Sequence, residues 1–216
     1  QVVLKTPTGL FYFGAKTKTF QKRTKGQAKI IFGKLAALVE GSSNVLVMGH
    51  SNPDFDSIGS CIGIARLALA YNPNVKIVVD KESPNFKCCT PKLLEAMPEY
   101  EDIFIGTARG LDMIRSDTLL IMTDVNNVYN TDCPKIIKCV QNIVIVDHHR
   151  RQDQMYEFKP LMTYIRPGVS AASELVSEML EFSPHRDALL KEEANLMLAG
   201  LMLDTKNFTT AVGMQT

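Results

Sequence analysis

The chain has 216 residues, 45% hydrophobic and 22% charged, the composition of an ordinary globular chain and enough length to bury a sizeable core without disulfide or metal staples. Lysine and arginine number 24 against 23 aspartates and glutamates; this balance excludes a histone-like or arm-type nucleic-acid binder, which needs a strongly basic surface, but not a phosphate-handling enzyme, where charge is local. No apolar run approaches the roughly 18 residues of a membrane span, and the longest, over 196–203, reads as a buried helix.

In chain order, residues 9–14 read as a short apolar strand closed by Gly14, and Lys16, Lys18, Lys22, Arg23 and Lys25 follow as a basic, solvated linker. Apolar residues at 28, 31, 35, 38 and 39 predict a helix that Gly41 ends. Beyond it, strands and helices alternate. Strands are predicted over 45–48, 75–79, 103–105, 119–122 and 143–146. Helices are predicted over 58–71, with Ser57 as N-cap, over 91–97, with proline in the first turn, and over 169–182 and 189–203. Apolar strands of three to five residues separated by helices point to an α/β fold: a doubly wound, mainly parallel sheet with helices on both faces, preceded by a short linker fragment. The five cysteines at 61, 88, 89, 133 and 139 show no metal-knuckle spacing and read as free thiols in a reducing compartment. The start at Gln1 rather than Met reads as a piece cut from a longer protein, and no signal peptide is present.

Doubly wound sheets bind ligands beyond the carboxyl ends of their strands. After 45–48 comes Gly49-His50-Ser51-Asn52-Pro53-Asp54-Phe55-Asp56; after 119–122 comes Thr123-Asp124; after 143–146 comes Asp147-His148-His149. Taken singly, the first segment could be a helix cap with a satisfied histidine and the last a strand-end turn. Together, three strands deliver carboxylate or imidazole to one edge, with three of the four histidines in the chain. Such oxygen and nitrogen donors suit intermediate divalent ions such as Mn²⁺, Fe²⁺ or Co²⁺. Asp124, between the other two motifs, is placed to bridge two ions. Asp204, after an apolar helix and at its unfavourable negative end, is the further ligand expected from the C-terminal part. Four aspartates and two neutral histidines nearly balance two divalent cations. Water bridging such ions acidifies to hydroxide near neutral pH, which points to in-line hydrolysis of a phosphoester or phosphoanhydride with no Ser or Cys nucleophile. Ser57 and Cys61 accordingly read as cap and core.

Gly49-His50-x-Asn52-Pro53-Asp54-x-Asp56 together with Asp147-His148-His149 resembles the DHH phosphoesterase superfamily, over roughly residues 44–210. Its members include RecJ-like exonucleases, short-oligonucleotide nucleases, family II inorganic pyrophosphatases and cyclic-dinucleotide phosphodiesterases. The finer text is Asp147-His148-His149-Arg150-Arg151, Ser170-Ala171-Ala172-Ser173-Glu174 and Leu203-Asp204-Thr205-Lys206-Asn207-Phe208. It is similar to the GdpP-type cyclic-di-AMP phosphodiesterase branch, as is the lead-in Tyr12-Phe13-Gly14 with Lys22-Arg23-Thr24-Lys25.

The resemblance implies two Mn²⁺ ions, one held by His50, Asp54 and Asp124, the other by Asp56, Asp124, His148 and Asp204. It implies that His149 faces the substrate phosphate, that Asp147 orients His148, and that cyclic-di-AMP is hydrolysed to linear pApA with a 3′ oxygen leaving. Oligoribonuclease, pApA phosphatase or pyrophosphatase activity, and a silent metal-binding signalling module, stand as the alternatives. Residues 1–25 would be the tail of a degenerate GGDEF-like domain with its linker, and 26–216 the DHH domain, without the DHHA1 domain that follows in the family. The parent would be a second-messenger signalling protein anchored in the membrane, with this part cytoplasmic. A cyclic dinucleotide would be its partner, with no duplex nucleic acid and no membrane contact within this piece, and a homodimer is left open.

Overall fold

Aliphatic runs of four to six residues form strands here because both of their faces are covered. The computed structural model describes residues 2–6, 9–13, 17–150 and 158–209, with side chains from residue 26 onward. β1 (Val2–Thr6) and β2 (Gly9–Phe13) make an antiparallel hairpin. α1 (Thr17–Glu40) follows, then β3 (Val45–Met48), α2 (Phe55–Leu69) and β4 (Val75–Val78). Next come α3 (Pro84–Cys89), α4 (Pro91–Ala96), α5 (Tyr100–Ile103), β5 (Phe104–Ile105) and α6 (Thr107–Asp112). The remainder comprises β6 (Leu119–Thr123), α7 (Pro134–Cys139), β7 (Asn142–Asp147), β8 (Met162–Ile165), α8 (Ala172–Glu181) and α9 (Lys191–Asp204).

β3 to β8 form one sheet of order β5-β4-β3-β6-β7-β8, parallel throughout. Alternate residues of the central strands feed two cores. Val45, Val47, Leu119, Ile121, Val144 and Val146 face α1, α2, α8 and α9, where Leu35, Ile62, Val176 and Met197 lie. Leu46, Met48, Leu120, Met122, Ile143 and Ile145 face α7, with Ile136 and Ile137. From β3 the chain winds outward to β4 and β5, then returns to β6 on the other side of β3 and winds the opposite way. α2 leaves β3 toward one face and α7 follows β6 on the other. The C-terminal ends of β3 and β6 therefore flank the topological switch point, where the diverging connections open a crevice.

The doubly wound parallel sheet is as expected, with several local differences. Residues 17–25, expected as a linker, are helical backbone continuous with α1: Lys, Gln and Arg carry helix propensity and no proline interrupts them. The expected boundary at residue 25 thus falls inside a helix. Gly14 and Lys16 of the lead-in lie outside the described residues. β1, β8, α3, α5, α6 and α7 were not expected. α9 is not buried all round: Leu198 and Leu203 are each 47% exposed and Met202 38%, while Leu196, Met197 and Gly200 face inward. All five cysteines are free. Among the described residues no helix is long and apolar enough to cross a membrane.

α9 lies across α2 so closely that side chains are excluded at the crossing. A Cβ on Gly59 would stand 2.8 Å from the Leu196 carbonyl oxygen, and one on Gly200 would stand 2.6 Å from the Asp56 Cα. Both obstacles are backbone, so a helix must move. Gly200→Ala is expected to destabilise by about 2–4 kcal/mol, the clash outweighing a helix-propensity gain of about 1 kcal/mol. Gly33→Ala, in α1 with nothing within 4 Å of the new Cβ, isolates that propensity term and is expected to stabilise by about 0.5–1 kcal/mol. Urea denaturation of the two variants checks the pair; a stable Gly200→Ala would mean that the crossing is loose.

Candidate functional site

At the C-terminal end of β3, His50 is pinned by its backbone: its amide donates to Ser57 Oγ at 3.3 Å, and Ser51 N donates to Asn130 O at 2.6 Å. Gly49 is required beside this contact, because a Cβ there would lie 2.1 Å from Ser57 Oγ. Asp54, not Ser57, caps α2: its Oδ1 accepts from Asp56 N at 2.9 Å and Ser57 N at 3.0 Å. The carboxylate thereby occupies the positive end of the helix, and Ser57, one turn in, is freed to hold His50. Asp56 is fully buried and points at a second helix. Its Oδ2 and Oδ1 accept from Ala172 N at 2.7 Å and Ser173 N at 2.9 Å, the first amides of α8.

Asp124 follows β6 and takes a left-handed backbone with φ 57°, a conformation that Asp tolerates better than most residues but that still carries strain. Its two oxygens face two imidazoles: Oδ2 is 3.3 Å from His50 Nε2 and Oδ1 is 3.3 Å from His148 Nε2. His50 Nε2 also lies 3.7 Å from Asp54 Oδ1, and His148 Nε2 lies 3.8 Å from Asp56 Oδ2 and 3.3 Å from Asp204 Oδ2. His50, Asp54 and Asp124 thus form one cluster and Asp56, His148 and Asp204 another, each compact enough for one ion. Asp204, the last residue of α9, arrives because the glycine-lined crossing brings α9 onto α2.

His149 is arranged differently. Its ring lines the cleft, 57% exposed, while Nδ1 lies 2.9 Å and the amide 3.1 Å from Asp147 Oδ1. A carboxylate only accepts, so Nδ1 carries the proton. Asp147 is fully buried, and its other oxygen accepts from Asn126 Nδ2 at 2.5 Å. The partner the structure gives Asp147 is therefore His149 and not, as expected, His148. Adjacent residues of extended backbone point to opposite faces and residues two apart share one, so Asp147 turns toward His149. Asn126 was missed altogether, as was Ser57's contact with His50. The only sequence signal for Asn126 was its place just beyond Asp124, on the same strand end.

The electrostatics are those of a cation site. Burial raises Asp56 to about 7 and Asp204 to about 6, and the charge of Asp124 adds to both shifts. Burial pulls His50 and His148 down, but the facing carboxylates outweigh it and hold them up at about 10 and about 9. Two coupled distortions of this kind relax together if divalent cations neutralise the carboxylates and the imidazoles are neutral ligands. Asp124 Oδ1 and His148 Nε2 are both buried and, despite their proximity, neither makes a hydrogen bond. Donor atoms about 2.1 Å from one ion lie roughly 3.0–3.4 Å apart, so these separations fit a shared cation with little movement. The six side chains therefore suit a pair of divalent ions.

The DHH family N-terminal domain matches residues 44–201, which take in every one of these residues except Asp204, just beyond the match. The chain belongs to the DHH family. Over its whole length this DHH chain is 36% identical to the cyclic-di-AMP phosphodiesterase GdpP of Bacillus subtilis and 35% identical to the cyclic-di-AMP phosphodiesterase PdeA of Listeria monocytogenes, covering 33% of each. It thus spans about a third of the length of the curated relatives it matches. The crystal structure of an exopolyphosphatase-related protein from Bacteroides fragilis has the same fold, with a TM-score of 0.63 over 86% of this chain and 52% of that one, at 23% identity.

Proposed function

We propose that this DHH domain hydrolyses a cyclic dinucleotide, cyclic-di-AMP, to linear pApA, using two Mn²⁺ ions. The observation that carries the reading is the coincidence of similarity, over the whole of this chain, to two cyclic-di-AMP phosphodiesterases with a site that gathers five carboxylates and three imidazoles. His50, Asp54 and Asp124 would hold one ion, and Asp56, His148 and Asp204 the other, with Asp124 shared. Cations bound there would neutralise the phosphate and acidify water, which is what diester hydrolysis without a protein nucleophile requires. Mn²⁺ matches a donor set of carboxylate oxygen and imidazole nitrogen.

The protein's own groups complete the site. Asn126 fixes Asp147, Asp147 accepts a hydrogen bond from the Nδ1–H of His149, and Nε2 of His149 is left for the substrate, to stabilise its phosphate or to protonate the departing 3′ oxygen. Incubating the full-length protein with Mn²⁺ and, separately, cyclic-di-AMP, pApA or pyrophosphate tests the reading. Accumulation of pApA from the cyclic substrate is expected; hydrolysis of pyrophosphate or pApA alone would overturn it. His149→Ala should keep its metal while turnover falls roughly 10²- to 10⁴-fold, whereas His148→Ala should lose metal. Equal metal loss in both would remove the division of labour between the two imidazoles.

A further inference from the structure

Arg150 lines the same cleft as His50, Asp54, Asp124, His149 and Asp204 and, among the described residues, is the one lining it with a permanent positive charge. Three carboxylates share that cleft, yet among the described residues Arg150 has no hydrogen-bond or ion-pair partner. The carboxylates are already engaged: Asp54 with His50 and the α2 amides, Asp124 with His50 and His148, Asp204 with His148. The guanidinium is exposed and stands immediately beyond the His148–His149 pair. Four carboxylates are balanced by two divalent ions. The guanidinium then becomes the cleft's surplus positive charge, favourable only to a ligand with more negative charge than the metal pair itself takes up.

We propose that Arg150 binds the second, uncleaved phosphate of a substrate that carries two phosphodiesters. This rests on the cyclic-dinucleotide reading and adds to it the feature that separates such a substrate from a simple diester. One phosphate of the ring sits at the carboxylate–imidazole cluster; the other needs a donor displaced from it, and a guanidinium fork matches two non-bridging oxygens. The interaction is made equally in the ground state and in the transition state, since the second phosphate does not react, so it acts on KM rather than kcat.

The test uses the full-length protein loaded with Mn²⁺ and the variants Arg150→Ala and Arg150→Lys. For cyclic-di-AMP, Arg150→Ala should raise KM roughly 10- to 100-fold, the range for one lost charge-assisted hydrogen-bonding group, with kcat within about threefold. Arg150→Lys, which keeps the charge but not the fork, should fall between. For bis(p-nitrophenyl) phosphate, which has one phosphate, kcat/KM should change less than about threefold. A readout free of turnover is calorimetric binding of a slowly cleaved phosphorothioate analogue of cyclic-di-AMP, whose Kd should weaken in step with KM while metal content and Tm stay unchanged. Equal losses on both substrates would place Arg150 at the scissile phosphate and overturn the inference. Unchanged KM and Kd would overturn it too, while leaving the functional reading intact. A wild-type protein that cleaves the simple diester but not cyclic-di-AMP would instead sink the functional reading, and this inference with it.

Discussion

Asp124→Asn is expected to abolish tight binding of two ions and to lower turnover by roughly 10³-fold or more, exceeding a change at any other single metal-ligand position. Among the described residues Asp124 is the only carboxylate facing both clusters, with one oxygen 3.3 Å from His50 Nε2 and the other 3.3 Å from His148 Nε2. Asparagine is the informative replacement because it tolerates the left-handed backbone at this position (φ 57°) as well as aspartate does. Alanine would add backbone strain to the loss of charge. The folded chain should therefore survive the change, with a Tm within a few degrees of the metal-free parent, and lost activity can be read as lost chemistry. Asp56→Asn is the contrast. Both of its oxygens accept amides of α8 and an amide nitrogen accepts nothing, so one of those bonds is lost at a cost of about 1–3 kcal/mol together with the second ion. Metal analysis of the dialysed variants decides the matter. Two ions retained by Asp124→Asn would rule out its shared position.

The second large effect concerns stability. Glu193→Ala is expected to destabilise the fold by about 3–5 kcal/mol, because it removes a buried carboxylate from three partners at once. Glu193 is fully buried and accepts from Arg66 Nε at 2.8 Å and Nη2 at 2.6 Å, from Leu190 N at 2.7 Å, and from the Tyr100 hydroxyl. The carboxylate thereby caps its own helix, α9, and ties it to α2 and α5. Burial and the neighbouring Glu193 charge push the Tyr100 phenol well up, so it remains a donor that loses its carboxylate acceptor once Glu193 is gone. At roughly 2–4 °C per kcal/mol for a chain of this size, Tm should drop by about 6–20 °C. The double variant Arg66→Met with Glu193→Leu should be less destabilised than Glu193→Ala alone, since it removes the orphaned guanidinium and refills the space. A loss below about 1 kcal/mol in Glu193→Ala would mean that the network is ornamental. Asp204 sits at the far end of the same helix, so a loosened α9 should also weaken metal binding in the second cluster.

The sequence by itself determined the sheet and the edge that carries the chemistry. Strands covered on both faces must be apolar at every position, so 45–48, 119–122 and 143–146 stood out as continuous runs, and parallel connections bring their C-terminal ends to one side. His50, Asp54, Asp56, Asp124, His148 and His149 could be named because each sits within a few residues of such a run, and local sequence carries local position. β8 was invisible for the converse reason. It is an edge strand with Thr163 exposed and only Met162 and Tyr164 buried, so its apolar pattern is too thin to read. What the tertiary structure decided is everything that joins distant segments. Asp54 rather than Ser57 caps α2, because Ser57 is taken by the His50 amide seven residues back. Asp56 meets the amides of α8 from 116 residues away, and Asp147 faces His149 with Asn126 behind it. α9 leaves Leu198, Met202 and Leu203 in the open because glycines let only one of its faces reach α2. The long-range pairings among these have no periodicity or spacing, and even the local ones leave no signal of which neighbour is chosen. They arise from which helix crosses which, and that is set by packing between elements, a free energy that belongs to the folded chain and to no window of its sequence.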